Sequence, residues 1–379
     1  MRLLAVSLFF LLSCSLSAQT WVDSVETYAM QSYLPASKYT WCWQHSAFLN
    51  TMVKRYDQVA EEEKQKYYDY VLQAMNKSKG MADGRSPNRV ASGLGMAFLY
   101  EKTGDEFYKA KCDKIYRQYL KINRTADGAV SHLPLSLELW DDTVFMIGQF
   151  FIAMYRATGE QKYLDEFALQ LRLHREKLLD KEWGLWYHGW DANDKDGVPY
   201  FCGQMGWPDD ETRLSGEFWG RGNGWIYVTL SDALVVIPRD NPMWDEFAGY
   251  LKEMLEHLPE LQDTETGHWY QLPVRKDDPE NWIESSCTAM FAYGMITALK
   301  HGIVDDDRFV KSTELAYNGL RKYSTEAAGN GLTCTNVCTG TCIGDKDYYL
   351  KRGVQKGRPF GLGMFIQFGM LYEIENGLR

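Results

Sequence analysis

Long apolar runs are scarce in this 379-residue chain. The run at the start, Leu3 to Leu12, falls short of the ~20 residues a membrane-spanning helix needs, and nothing later is long and apolar enough either. Arg2 before it, and Ser15, Leu16, Ser17, Ala18 and Gln19 after it, make residues 1–18 an expected export signal cleaved after Ala18. Residues 19–379 are then a single exported domain, expected in a bacterial periplasm. Cys14, after Leu11, Leu12 and Ser13, leaves a lipid anchor as the alternative.

Basic charge is also short. Forty-one Lys and Arg face 51 Asp and Glu, a net charge of -10, which argues against nucleic acid as a partner. An anionic substrate stays open if Arg and His gather locally. Eight widely spaced cysteines, an odd set once Cys14 is removed, are no disulfide scaffold. Cys334, Cys338 and Cys342 recur at every fourth residue with no His nearby, so no metal or other cofactor is expected, and a structural loop or a bridge remains. Nothing rich in Pro, Gly or Ser divides the chain, and no strand-helix alternation suggests a parallel sheet.

What the chain does have is paired helices. From Val144 to Met154 there is no charge at all, the mark of a helix buried on every side. After Thr158 and Gly159 comes a stretch from Tyr163 to Leu179 with Leu164, Phe167, Ala168 and Leu171 on one face and Asp165, Glu166, Arg172 and Arg175 on others. The same pair recurs from Leu94 through Thr103, Gly104 and Asp105 to Tyr119. Further inner helices are expected near Ala47, Trp225, Ala289 and Leu362, six hairpins if the last closes on the N-terminal one. The fold expected is all-α, an (α/α)6 toroid. Inner helices that run parallel all begin at one end, so the polar and aromatic segments before them meet at one mouth: Trp41–His45, Asn88–Gly93, Trp140–Thr143, Glu217–Trp225, Asn281–Ser286 and Arg358–Phe360.

Asp141 and Asp142 open the Val144 helix beside Trp140, and neighbours on a helix do not share a face, so one acid is expected to point inward. Helix capping is the bland reading. Trp183 to Asp191 is dense in aromatic residues around His188, whose imidazole suits a sugar hydroxyl or a carboxylate; a core histidine is the alternative. Gly220, Arg221, Gly222, Asn223 and Gly224 lack the preceding strand and the Lys-Ser or Lys-Thr pair of a phosphate cradle. A tight turn with Arg221 facing a carboxylate fits better. His268, Trp269, Tyr270, Gln271, Trp282, Glu284, Ser285 and Ser286 are candidates to complete the wall, with core packing as likely an end for Trp269 and Trp282. Asp191, Asn193, Asp194 and Asp196 faintly suggest a calcium loop, which Lys195 and Gly197 spoil.

Together, Trp140–Met146, Gly184–Asp191, Trp219–Trp225, Glu284–Tyr293 and Arg358–Gly363 resemble, in this order, the unsaturated rhamnogalacturonyl hydrolases of glycoside hydrolase family 105, relatives of the family 88 unsaturated glucuronyl hydrolases. The resemblance spans nearly all of residues 19–379. It implies an (α/α)6 enzyme that removes a 4,5-unsaturated uronic acid from lyase-generated oligosaccharides by hydrating a vinyl ether. Asp142 matches the family aspartate before Thr-x-x-Met, with Asp141 its neighbour, and His188, Trp219, Arg221, Asn223 and Trp225 match sugar-site positions. Trp43, Arg89, His132, Trp140 and Glu284 complete the candidate substrate set. To give a proton, Asp142 is expected to ionise above the free ~3.9, through burial against Trp140. One departure stands out: the family's second aspartate, with a Gly-Arg pair after it, is not found in Pro87 to Leu94, where Asn88 and Arg89 stand. That leaves two alternatives, an ordinary glucuronidase using Asp142 with Asp191 or Glu284, and a catalytically impaired carbohydrate-binding toroid.

Overall fold

Segments without a polar face can be satisfied only by being surrounded, and the computed structural model, which describes residues 19–134, 136–192 and 207–379, surrounds six of them. Its helices in chain order are α1 (Trp21–Tyr28), α2 (Trp43–Gln58), α3 (Glu61–Ser78), α4 (Pro87–Val90), α5 (Gly93–Thr103), α6 (Glu106–Tyr119), α7 (Asp142–Thr158), α8 (Gln161–Leu178), α9 (Gly220–Val236), α10 (Pro242–Leu255), α11 (Ser285–Lys300), α12 (Asp307–Tyr323), α13 (Lys346–Leu350) and α14 (Pro359–Glu375). The inner ring is α2, α5, α7, α9, α11 and α14, each packed on the next, with α14 closing on α2. Outside them lie α3, α6, α8, α10 and α12, and the N-terminal α1 covers α14. This is the expected toroid of six hairpins.

The helix boundaries follow from local chemistry. Gly104 and Gly159 end α5 and α7 in the left-handed conformation, φ 65° and 67°, each N–H donating to a carbonyl four residues back. Asp105, Asn241 and Asp306 start α6, α10 and α12 by accepting from backbone N–H groups. In α8 the expected inward stripe, Leu164, Phe167, Ala168 and Leu171, is buried, while Asp165 and Arg172 are exposed.

Two short antiparallel ladders, not expected from the sequence, brace the mouth. In the first, β1 (Glu138–Trp140) pairs with β2 (Gly189–Asp191), Trp140 opposite Gly189. In the second, β3 (Trp269–Tyr270) pairs with β4 (Ile283–Glu284), which runs directly into α11. Cys334 and Cys338 are buried free thiols, and Cys342 is half-buried. The export segment, Cys14 and the 193–196 part of the calcium reading lie outside the described residues.

At the opposite end, the C-terminal halves of the inner helices enclose a cavity of about 280 Å³. Asp232 of α9 lies there as a buried anion, paired with Lys54 of α2 and accepting from Asn50 (3.2 Å), Gln149 (3.0 Å) and Tyr293 (3.1 Å). Four inner helices thereby share one carboxylate. Asp232→Ala leaves the half-buried Lys54 with only Gln367 as a hydrogen-bond partner and no carboxylate, and a loss of about 3 kcal/mol is expected in denaturant unfolding; a loss below about 1 kcal/mol would mean the ring closes without this carboxylate.

Candidate active site

The β1–β2 ladder continues one step past its named strands: the Asp141 N–H donates to the His188 carbonyl at 3.1 Å. That step brings the start of α7 and His188 together. His188 Nε2 lies 3.0 Å from Asp142 Oδ2 and 3.9 Å from Asp141 Oδ1, and ligating atoms of all three residues fall within 4.8 Å of one another. Asp141 and His188 have no exposed surface, and Asp142 keeps 9%. Of the three, Asp142 therefore meets whatever enters the mouth.

His188 is fixed from behind by Tyr349, on α13, whose hydroxyl lies 2.7 Å from Nδ1. With the hydroxyl donating to Nδ1, the ring proton sits on Nε2 and points at Asp142. Burial drives the His188 imidazole below its ordinary range, only partly opposed by Asp142. Asp142 is pushed up by burial, the largest single influence, but the hydrogen bond and charge of His188, with His132 and Asp141, together outweigh it and hold its carboxyl below the usual range. The expectation of a raised Asp142 is thus reversed, because the hydrogen bonds and charges of its polar neighbours together exceed the effect of burial. Asp141 is the raised member, well above the usual range, through burial and then through the adjacent Asp142 charge. Capping explains neither acid: Asp141 stands at the N-cap of α7 with no side-chain cap bond.

Several expected ligand residues are held by partners within the protein. Arg221 is wholly buried, with Trp219 and Phe360 each 4.5 Å away and Glu284 at 3.7 Å, and donates to the carbonyls of Cys338 (2.8 Å) and Thr339 (2.6 Å). The carboxylate it faces in this structure is that of Glu284. Asn223 accepts from the Trp186 N–H at 2.7 Å and donates to the carbonyls of Trp186 (2.9 Å) and Trp219 (3.2 Å), which ties the His188 loop to α9. Glu284, also wholly buried, caps α11 by accepting from the Cys287 N–H (2.6 Å) and further accepts from Ser286 and the Cys338 N–H (2.8 Å). It is therefore no second mouth acid. Trp219 packs on His188 at 4.6 Å and donates to Gln271, and Trp225 is buried against Phe145 at 4.3 Å. Trp269 is core, and His268 is bound to Thr266 and Ser324.

Trp140 stacks on His132 (centroids 4.5 Å apart, planes within 5°) and meets His188 edge-on. His132 bonds Thr143 of α7 at 2.9 Å and Asn88 at 3.3 Å, and burial drives its pKa down to about 4. Trp43 is half-buried, stacked on Phe360 at 5.1 Å, and Arg89 is exposed. The Asp-Gly-Arg sequence sought in Pro87 to Leu94 stands just before it, at Asp83–Gly84–Arg85; there the Asp83 carboxylate is held by Arg85 at 2.9 and 3.0 Å. Sequence reasoning missed Tyr349, and read Gly222 only as part of a tight turn. A Cβ at 222 would lie 2.2 Å from Asp141 Oδ2, so glycine there is the condition for placing Asp141.

Residues 15–375 match the family model described as Glycosyl Hydrolase Family 88. An unsaturated rhamnogalacturonyl hydrolase, YesR, of Bacillus subtilis is 27% identical over 69% of this chain and 72% of its own length. An unsaturated 3S-rhamnoglycuronyl hydrolase of an Alteromonas species is 26% identical over 49% of this chain and 41% of its own. Among solved structures, a family 105 glycoside hydrolase of C. acetobutylicum superposes with TM-score 0.80 at 22% identity, covering 94% of this chain and 100% of that one. A possible family 105 member from Salmonella enterica superposes with TM-score 0.72 at 26% identity, covering 89% and 84%.

If Asn223 is scaffold, Asn223→Ala should cost stability before it costs affinity. Loss of its three backbone partners is expected to lower unfolding free energy by about 1 to 3 kcal/mol, read by denaturant titration. Unchanged stability with weakened saccharide binding would return Asn223 to the ligand side.

Proposed function

Because the chain belongs to Glycosyl Hydrolase Family 88, we propose that it removes a 4,5-unsaturated uronic acid from the non-reducing end of lyase-generated oligosaccharides, hydrating the C4=C5 bond. The observation that carries this reading is the Asp142–His188 pair at the mouth, with Asp142 alone in its group open to an entering ligand. An ordinary glycosidase instead flanks the anomeric carbon with two carboxyl groups ~5 to ~9.5 Å apart. Asp141 has no surface with which to do this, and Glu284 is spent on the α11 cap. One acid-base group suffices for a vinyl ether.

In that reaction Asp142 delivers a proton to C4, and the π electrons of C4=C5 form the new C–H bond. Positive charge develops at C5 and is shared by the ring oxygen. Water adds at C5, its proton passing to the Asp142 carboxylate, and the resulting hemiketal opens. The hemiacetal left at C1 then releases the remaining saccharide. Trp43, Arg89 and the face of Trp140 are the residues we assign to the sugar, with His188 orienting Asp142. Following the Bacillus relative's name, rhamnogalacturonyl substrates from pectin are the class we favour. Residues 1–18 fit export toward such polymers; among the described residues no helix is long and apolar enough to cross a membrane.

The test follows the ultraviolet absorbance of the conjugated uronate while protein acts on unsaturated pectic disaccharides. Wild type should abolish the absorbance, and Asp142→Asn should slow its loss by about 100- to 10,000-fold. Hydrolysis of saturated glucuronides at a comparable rate would sink the reading. A chelator should leave turnover unchanged.

A further inference from the structure

Asp141 is the least comfortable side chain among the described residues. It has no exposed surface, and apart from a weak contact with the Asp142 N–H neither carboxyl oxygen meets a hydrogen-bond donor. An ionised carboxylate stranded this way costs several kcal/mol, and a protein avoids the cost by protonating it. We propose that Asp141 is the resident acid of the site, a buried carboxyl that holds one proton and hands it to Asp142 in each turnover. This rests on the hydration reading, to which it adds where the proton waits.

The placement suits that task. Asp141 is seated against the backbone of Gly222, and one of its oxygens lies within 4.8 Å of a polar side-chain atom of each of Asp142 and His188. A protonated Asp141 needs an acceptor, and the neighbouring Asp142 carboxylate is one. His188 does not compete, because its Nε2–H is directed to Asp142 at 3.0 Å rather than to Asp141 at 3.9 Å.

The other charged or titratable groups around the pair leave Asp141 without a cation. His132 is driven to a pKa of about 4 and is neutral, Tyr349 bonds His188, and Arg221 is engaged by Glu284 and two carbonyls. Two adjacent buried acids with one stabilising donor hold one proton between them. That proton lies on Asp141 while the site is empty, in keeping with its raised carboxyl beside a lowered Asp142.

Substrate changes the balance. The uronate carboxylate enters beside Asp142, the exposed member, and repulsion between the two anions disfavours charge there. The proton crosses from Asp141 to Asp142 and the charge retreats to the buried position. Asp142 then protonates C4, and the proton released by the attacking water restores one proton to the pair. Protons balance over the cycle, and water is the only other reactant. Asp141 acts through Asp142, so it is a positioning residue.

The pH profile separates this from a structural role. In wild type the one-proton state extends up to the raised ionisation of Asp141, so turnover falls only as pH rises through it. In Asp141→Asn the proton must sit on Asp142, whose ionisation is held low, so turnover survives only on the acid side. The variant should keep its melting temperature and KM, while the alkaline limb of kcat moves down by more than about one pH unit and neutral kcat falls about 10- to 100-fold. An unchanged limb, or a change in KM alone, would overturn the proposal.

Wild type that fails to consume the unsaturated substrate would instead defeat the hydration reading, whatever the variant does. Should Asp141→Asn not fold, infrared spectra of wild type carrying isotope-labelled aspartate decide: a protonated aspartate carboxyl at neutral pH is expected, and its absence refutes the idea. Inactivation by a chelator with recovery on adding a divalent cation would also overturn it, since a cation would then compensate the paired acids.

Discussion

An inner helix with no polar face cannot meet water anywhere along its length, and the rest of the structure depends on that constraint. Six such helices bury one another only by closing into a ring with an outer layer, and α14 meeting α2 completes it. Once they run parallel, their first turns share one end. The polar and aromatic residues excluded from the helix bodies collect there, and the site is a consequence of how the ring is wound.

The mouth is held by residues that look like ligands. Arg221, Asn223 and Glu284 all sit where charge or amide groups are expected to greet a sugar, yet each is buried and bonded to backbone. Their work is to fix three crossing segments: the His188 loop, the start of α11, and residues 337–339. Fixing these fixes His188, and His188 fixes the ionised oxygen of Asp142. A chain of polar contacts inside a dry wall gives orientation that loops at a wet surface would lose.

Much of this was legible in the sequence. The charge-free run from Val144 to Met154 and the repeated Thr-Gly turns at 103–104 and 158–159 mark the hairpins, because burial and a left-handed cap leave direct compositional traces. Trp140-Asp141-Asp142-Thr143 before that run marks the proposed reacting centre. The partners of buried polar groups left no such trace. An arginine among glycines reads the same whether it faces solvent or a carbonyl over a hundred residues away, as Arg221 does. Tyr349 reaches His188 across 161 residues and follows no local pattern. Three-residue strands such as β1 and β2 are too short for alternation to show, so the ladder that joins His188 to α7 was invisible. The sign of the Asp142 shift is hidden for the same reason: burial can be foreseen, but not the polar partners, His188 first among them, that together exceed it.

The most direct test of hydration is where solvent hydrogen ends up. Turnover of an unsaturated disaccharide in heavy water, sampled early by NMR, should place a single deuterium on one face of C4 of the released uronate, because Asp142 delivers its exchangeable proton to that carbon. A released uronate that still carries its C4=C5 bond, with no deuterium at C4, would mean that attack occurs at the anomeric carbon and that Asp142 serves an ordinary glycosidase.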